Sequence, residues 1–161
     1  MLQRAHPFSK RIRMDNHFLA PLFSPSSIAV FAGKADDPSS QTPSAQALHS
    51  ALKAQRFTGS LVFLDIHVSG TLADLAQTQA DLAIIALPAG EVVSALEIAA
   101  RIKCQAVLVL SSGIGAADAA EMHKIAQRDG IHLLGPNSMG FQRPHLHLNA
   151  SSAGALSAQG P

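Results

Sequence analysis

The segment "DLAIIALPAGEV", residues 81–92, contains the unit from which the fold is predicted. Its apolar run, Leu82 to Leu87, does not alternate with polar residues, which is typical of a strand covered on both faces. Pro88 ends the run, and the stretch from Glu91 to Ile102 then repeats apolar side chains at helical spacing. A buried strand followed by a helix is the first half of a βαβ unit.

The same unit recurs along the chain. Four more apolar runs are rich in Val, Ile and Leu: "SIAVFAG" (27–33), "SLVFLD" (60–65), "AVLVLSSG" (106–113) and "IHLLGP" (131–136). Helical spacing is found in Pro43 to Gln55 and Ala116 to Arg128, and a shorter helix is predicted at Thr71 to Gln77. This alternation predicts an α/β fold: an open, doubly wound, mostly parallel five-stranded sheet with helices on both faces.

Composition favours a compact domain and excludes several function classes. Hydrophobic residues make up 47% of the 161-residue chain and charged residues 14%, so a disordered chain is not expected. Aromatic residues make up only 4% and the net charge is +1, which gives no stacking platform or basic surface for nucleic acid. No apolar run approaches the length of a membrane span, so no membrane partner is predicted.

Cys104 is the only cysteine, and we interpret it as a small buried hydrophobic residue. A single cysteine forms no internal disulfide and fits a reducing compartment, so a cytoplasmic location is expected. Arg4, Lys10, Arg11 and Arg13 lie near the N-terminus without the apolar segment of a signal peptide. Residues 1–20 are therefore predicted to be a poorly ordered basic leader, and a basic arm is the alternative.

Each of the five runs ends in a residue that suits ligand contact: Gly33, Asp65, Pro88, Gly113 and Gly135. Doubly wound sheets bind ligands at the carboxyl ends of their strands, near the point where strand order reverses. The bend at Gly33 lets backbone approach a phosphate, and Lys34 adds positive charge. The fingerprint G-x-G-x-x-G is absent, however, so a plain surface loop and a phosphate site both stay open there.

The other strand ends carry polar groups with two possible roles each. Asp65 either binds ribose hydroxyls or is an ordinary turn residue, and His67 either pairs with a phosphate or is an exposed histidine. Ser111, Ser112 and Gly113 form a plausible polar cradle, and Pro88 lies at its mouth or marks a helix start.

Two further segments carry polar side chains that suit ligand or metal contact. In "GPNSMG", residues 135–140, Pro136 makes the turn rigid and Asn137 presents an amide, either to a ligand or to the local backbone. His145 and His147 share a face if "HLHLN" is extended, but two histidines are not a metal site, and none is predicted. No catalytic residue is assigned.

Taken together, these pieces resemble a known family. "LFSPSSIAVFAG", "DLAIIALPAGEV", "AVLVLSSGIG" and "LLGPNSMGF" followed by "LNAS" are similar to the N-terminal, Rossmann-like CoA-binding domain of the NDP-forming acyl-CoA synthetases. That superfamily includes the succinyl-CoA ligase alpha subunit and bacterial protein lysine acetyltransferases that carry this region. The resemblance runs from about Leu22 to Asn149, and the "GPN" turn is its most specific piece.

The resemblance implies a site for CoA or acyl-CoA as cofactor. It implies phosphate contacts at Ala32, Gly33, Lys34 and Ala35, and further contacts at Ser111, Ser112 and Gly113. It implies that Pro88, Pro136 and Asn137 lie near the pantetheine arm, and that His67 occupies the position of a usual basic residue. The chain departs from the family at Asp36, Asp37 and Pro38 in the first loop, and at Ser138, where members often carry cysteine.

The expected organisation is the leader, a CoA-binding domain at residues 21–150, and a linker at 151–161 toward downstream domains of the same parent chain. The leading hypothesis is a CoA- or acyl-CoA-binding module of a larger acyl-CoA synthetase (NDP-forming) or protein acetyltransferase, not catalytic by itself. The alternatives are a degenerate, non-binding regulatory or interaction module and, third, an NAD(P)-binding oxidoreductase domain. The composition of the first loop discriminates between the CoA-binding module and the degenerate module, because acidic residues near a phosphate site oppose phosphate binding.

Overall fold

Five parallel strands form the central sheet that the apolar runs predict. The computed structural model describes residues 17–34, 36–67, 78–155 and 157–158. The strands are β1 (Ser27–Phe31), β2 (Ser60–Phe63), β3 (Leu82–Ile85), β4 (Ala106–Val109) and β5 (His132–Leu134). Their order is β2-β1-β3-β4-β5, and every neighbouring pair is parallel. The predicted Rossmann-like, doubly wound fold is confirmed.

The three inner strands are the ones covered on both faces. β1 directs Ile28 and Val30 into one apolar cluster, and Ala29 and Phe31 into the other. β3 and β4 are buried along their whole length. The expectation of complete burial is wrong for β2 and β5, because they are the outer strands of the sheet. Phe63 on β2 is 47% exposed.

Helices cover the two faces, as predicted. α1 (Ala20–Phe23) and α2 (Pro43–Ala54) lie on one face, and α3 (Val92–Arg101) and α4 (Ala116–Asp129) lie on the other. The three longer helices agree with the predicted ranges to within about one residue at either end. The predicted helix at Thr71 to Gln77 and residues 1–16 of the leader lie outside the described residues.

A second, antiparallel pair of strands follows the five-stranded sheet. β6 (Gly140–Arg143) pairs with β7 (Leu148–Ser151), and the buried Leu148 and Ala150 pack with α2 against the sheet. A short 3-10 turn, Pro144–Leu146, joins the two strands. Proline suits its first position, because that residue needs no backbone N–H. His145 therefore lies in a turn and His147 has a positive φ of 51°, so the segment is not extended and the condition for a shared face is not met.

No helix in the part of the chain that the structure describes is long and apolar enough to span a membrane. The longest, α4, contains 14 residues and buries only one face.

Cys104 lies in the core beside the start of β4, as the sequence predicts. Its side chain is only 3% exposed. Burial, with a smaller contribution from the charge of Asp81, raises the pKa of the Cys104 thiol to about 12. The nucleophilic thiolate is therefore almost absent at neutral pH.

We expect Cys104 to be inert in the folded protein. Alkylation by iodoacetamide at pH 8 should be at least about a thousandfold slower than in the urea-unfolded chain, because both the thiolate fraction and access are reduced. Mass spectrometry of timed samples measures the rates, and the unfolded chain is the internal control. Rapid modification of the native protein would contradict the packing at the start of β4.

Candidate functional site

The carboxyl ends of β1 and β3 mark the point where strand order reverses. The chain leaves β1 for β2 on one side of the sheet and later returns to β3 on the other side. The loops that follow these strands diverge, which leaves a crevice between them. Two adjoining cavities lie there, and Leu87 lines both.

The first cavity has a volume of about 260 Å³ and is formed by the loops after β1, β2 and β3. Its lining residues are Gly33, Lys34, Asp37, Ser40, Leu64, Asp65, Ile66, His67, Leu87 and Glu91. Three of the predicted site residues, Gly33, Lys34 and His67, are therefore brought together.

The loop after β1 turns sharply at Gly33, where φ is +68° and a side chain would be strained. The loop then places Asp37 at the start of a 3-10 turn, Pro38–Ser40. The Asp37 carboxylate accepts hydrogen bonds from the backbone N–H and the hydroxyl of Ser39, at 3.2 and 2.5 Å. The hydroxyl bond is the main reason why the pKa of Asp37 is lowered, so this cavity wall carries a negative charge at neutral pH.

His49 supports this loop from below, and sequence reasoning missed it. The His49 ring is buried in α2, and its Nε2 lies 3.1 Å from the carbonyl oxygen of Ala32. A carbonyl can only accept, so Nε2 donates this hydrogen bond, and Nδ1 has no hydrogen-bond partner among the described residues. Ala32 is buried, and its carbonyl is already bonded. The helical spacing of α2 did not single out His49, and a long-range bond to a loop has no sequence signal.

The loop after β2 carries the remaining charges of the first cavity. Asp65 Oδ1 accepts from the backbone N–H of His67 at 2.9 Å. The His67 ring reaches across to the loop after β3, where its Nε2 lies 3.1 Å from Glu91 Oε1. Glu91, which the sequence analysis did not single out, therefore occupies the ring nitrogen that a ligand phosphate would use.

The second cavity, of about 310 Å³, lies between the N-terminus of α2 and the ends of β3 and β4. It is lined by Thr42, Pro43, Ser44, Leu87, Pro88, Ala89, Ser111 and Ser112, so Pro88, Ser111 and Ser112 are brought together. The Ser111 hydroxyl is not free, because it accepts from the backbone N–H of Leu87 at 3.0 Å. Ser112 and the neighbouring Gly113 are exposed, and Gly113 lines neither cavity.

The N-terminus of α2 offers few donors to an anion. Thr42 Oγ1 accepts from Ala45 N at 3.1 Å and donates to the carbonyl oxygen of Ala86 at 3.3 Å. Pro43 has no N–H, and Gln46 N donates to the carbonyl oxygen of Thr42. Ser44 supplies the one backbone N–H of the first turn that forms no hydrogen bond within the described part of the chain.

The "GPN" turn packs on the end of β4. Gly135 has a φ of +106°, and an added Cβ would lie 2.4 Å from the carbonyl oxygen of Val109. Asn137 N donates to the carbonyl oxygen of Ser111 at 2.9 Å, and Ser138 N donates to Val109 at 3.2 Å. Asn137 itself has a φ of +57°, a conformation that asparagine tolerates better than most residues. Its exposed amide makes no hydrogen bond to any residue that the structure describes.

The predicted site residues thus fall into groups with different surroundings. Pro136 and Asn137 adjoin Ser111 through the backbone bond, but line neither cavity. Ala32 lies under the first loop, and Ala35 lies outside the described residues. Contact of any of these residues with CoA stays a prediction. Among the residues that the structure describes, no group of three or more His, Cys, Asp or Glu is arranged to hold a metal ion.

An α/β sheet with two adjoining cavities at its switch point defines the class of nucleotide-binding domains. The family described as "CoA binding domain" matches residues 61–144, slightly more than half of the chain. The chain belongs to this family. The matched range includes β2 to β6, and the loop after β1 lies outside it.

Solved structures share the fold. PH0766 from Pyrococcus horikoshii OT3 is 24% identical with a TM-score of 0.68, over 83% of this chain and 33% of that one. The dinucleotide forming acetyl-coenzyme A synthetase 1 of Ca. Korarchaeum cryptofilum, in complex with phosphate and ADP, is 21% identical with a TM-score of 0.70, over 83% and 30%. This chain therefore spans about a third of the length of these structures. No curated protein matches it.

We expect Gly135→Ala to destabilise the protein by about 3 kcal/mol, because positive φ and a clash with backbone act together. Gly154→Ala is the matched control: Gly154 has a φ of +101° with nothing within 4 Å of an added Cβ. It should cost only about 1 kcal/mol. Urea unfolding monitored by circular dichroism measures both. Equal costs would show that the turn does not press against β4 as described.

Proposed function

We propose that this chain is a CoA- or acyl-CoA-binding module of a larger acyl-CoA synthetase (NDP-forming) or protein acetyltransferase. The observation that carries the proposal is the pair of adjoining cavities at the switch point of a chain that belongs to the CoA-binding domain family. CoA is an elongated ligand with a nucleotide end and a pantetheine arm, and two joined cavities suit such a shape.

The two ends of the ligand fit different surroundings. In the proposed pose the nucleotide lies at the bend around Gly33, beside Lys34, where the backbone is accessible and one cation is available. The pantetheine arm then runs past Leu87 and Pro88 toward Ser112. Its two amides need hydrogen-bond partners when they leave water, and Ser44 N–H and the Asn137 amide are free to supply them.

The parent protein is a further part of the proposal. This chain covers about a third of each of the solved structures with this fold, and two of them are structures of an acetyl-coenzyme A synthetase. A module that presents CoA to chemistry performed by downstream domains fits this size relation. A cytoplasmic location fits both a CoA-type ligand and the single buried thiol.

A degenerate, non-binding module is the second candidate, and a specific observation favours it. In the first turn of α2, which borders the second cavity, Pro43 has no N–H and the N–H of Ala45 is bonded to Thr42. In the first cavity, where the phosphates would lie, Asp37 adds a carboxylate. Each change weakens anion binding. Whether Lys34 and the Gly33 bend outweigh them decides between the two candidates.

Isothermal titration calorimetry of the chain with CoA and with acetyl-CoA tests the proposal. We expect both to bind and to compete for one site, because the proposed contacts are made by the parts that the two ligands share. Titration with ATP is the control for a nucleotide that lacks the pantetheine arm. Absence of binding by both CoA species at millimolar concentration would favour the degenerate module.

Asn137 is tested by a variant that keeps the backbone conformation. Asn137→Gly tolerates the φ of +57° and removes only the amide, so the melting temperature should change little. CoA affinity should fall about tenfold, equivalent to about 1.4 kcal/mol. Asn137→Ala is the comparison that removes the amide and also strains the backbone. Unchanged affinity in the glycine variant would make Asn137 a turn residue alone.

A further inference from the structure

The first cavity carries more negative than positive charge. Asp37, Asp65 and Glu91 contribute three carboxylates to its lining, whereas Lys34 is its one ammonium group. Nothing in this balance opposes the sugar and base of a nucleotide. A phosphate group that is added to the ribose and lies beside these carboxylates is opposed by like-charge repulsion.

His67 does not correct the imbalance. In CoA the adenosine ribose carries a phosphate on its 3′ oxygen, and a cation beside the ribose would stabilise it. The His67 ring is directed instead to Glu91, with 3.1 Å between Nε2 and Oε1. The Nε2 atom of this imidazole is therefore paired with Glu91 and does not face a ribose phosphate.

Asp65 occupies the position from which a carboxylate binds a free ribose. Leu64 N still donates to the carbonyl oxygen of Val30 at 2.9 Å, so Asp65 lies beside the bend after β1 and lines the same cavity as Gly33. Only Oδ1 is engaged, by the N–H of His67, and Oδ2 makes no hydrogen bond to a described residue. An acid after the second strand of such a sheet accepts hydrogen bonds from ribose hydroxyls.

We propose that the first cavity selects an adenine nucleotide whose ribose keeps its vicinal hydroxyls, and disfavours a ribose that carries an added phosphate. This inference rests on the proposed function for the identity of the rest of the ligand. The preferred ligand is therefore of the dephospho-CoA type, which lacks the 3′-phosphate of CoA. Selectivity arises from attraction of the diol to Asp65 and from repulsion of the phosphate by Asp37, Asp65 and Glu91.

Two matched pairs of ligands test the inference by calorimetry at low salt. Dephospho-CoA against CoA differs only by the 3′-phosphate, and NAD against NADP differs only by the 2′-phosphate. We expect dephospho-CoA to bind at least about tenfold more tightly than CoA, since the diol gains hydrogen bonds and the phosphate meets carboxylates. CoA affinity equal to or above that of dephospho-CoA would overturn the inference and leave the proposed function standing.

The other outcomes are also distinct. If NAD binds more tightly than NADP while neither CoA species binds, the diol preference stands and the CoA-module proposal fails. If no ligand of either pair binds, the inference fails together with the proposed function. Thermal melting of the free protein accompanies each titration, so that an unfolded sample is not scored as non-binding.

Two variants assign the selectivity to residues. Asp65→Asn keeps an oxygen acceptor for the N–H of His67 and should weaken dephospho-CoA about tenfold, with CoA changed less than about threefold. Glu91→Gln frees His67 and should raise CoA affinity relative to dephospho-CoA. Glu121→Gln, which removes a carboxylate on α4 that lines neither cavity, is the charge-matched control. An unchanged ligand ratio in Asp65→Asn would show that Asp65 is only a turn residue.

Discussion

Ser111 connects three strand ends, and the geometry of both cavities depends on it. Its hydroxyl accepts from Leu87 N after β3, and its carbonyl oxygen accepts from Asn137 N in the turn after β5. Because the residue is buried, these bonds are made without competition from water and fix the spacing of the three loops. A parallel sheet has no hairpins to align neighbouring strand ends. A side chain that forms a hydrogen bond from one strand end to the next therefore fixes their relative position. Leu87, which separates the two cavities, is held in place by this bond.

The two cavities of the crevice differ in the groups that line them. On the side of the second cavity the backbone is closely packed and mostly satisfied, which suits a neutral, flexible arm. On the side of the first cavity, carboxylates line the wall. This is consistent with the family match, which begins in β2 and leaves the loop after β1 outside.

The sequence predicted the sheet well because the apolar runs report burial directly. β1, β3 and β4 are apolar on both faces and lie inside the sheet. The sequences of β2 and β5 are similarly apolar, although these are the edge strands. Position within a sheet is a long-range property, and a run of five residues does not encode it. The hairpin of β6 and β7 was missed for a related reason: its apolar residues are few and become buried only through contact with α2.

The candidate site was predictable at the strand ends but not in its pairings. Glycine, proline and aspartate after apolar runs have local signatures, and Gly33, Asp65 and Pro88 all lie at the crevice. The bonds of His49 to Ala32 and of His67 to Glu91 join residues 17 and 24 positions apart. No periodicity relates such positions, and only the fold brings them together. The second pair changes the interpretation of the site, since the His67 nitrogen that was expected to face a phosphate is paired with a carboxylate instead.

α2 links the two cavities mechanically. Its N-terminus contributes Thr42, Pro43 and Ser44 to the second cavity and is tied to β3 through Ala86. Two turns further along, His49 holds the carbonyl of Ala32, the residue before the Gly33 bend that shapes the first cavity. The other ring nitrogen, Nδ1, has no hydrogen-bond partner among the described residues. The hydrogen bond from Nε2 is the one that the His49 side chain makes within the described part of the chain, so the residue fixes the position of the loop after β1 relative to α2.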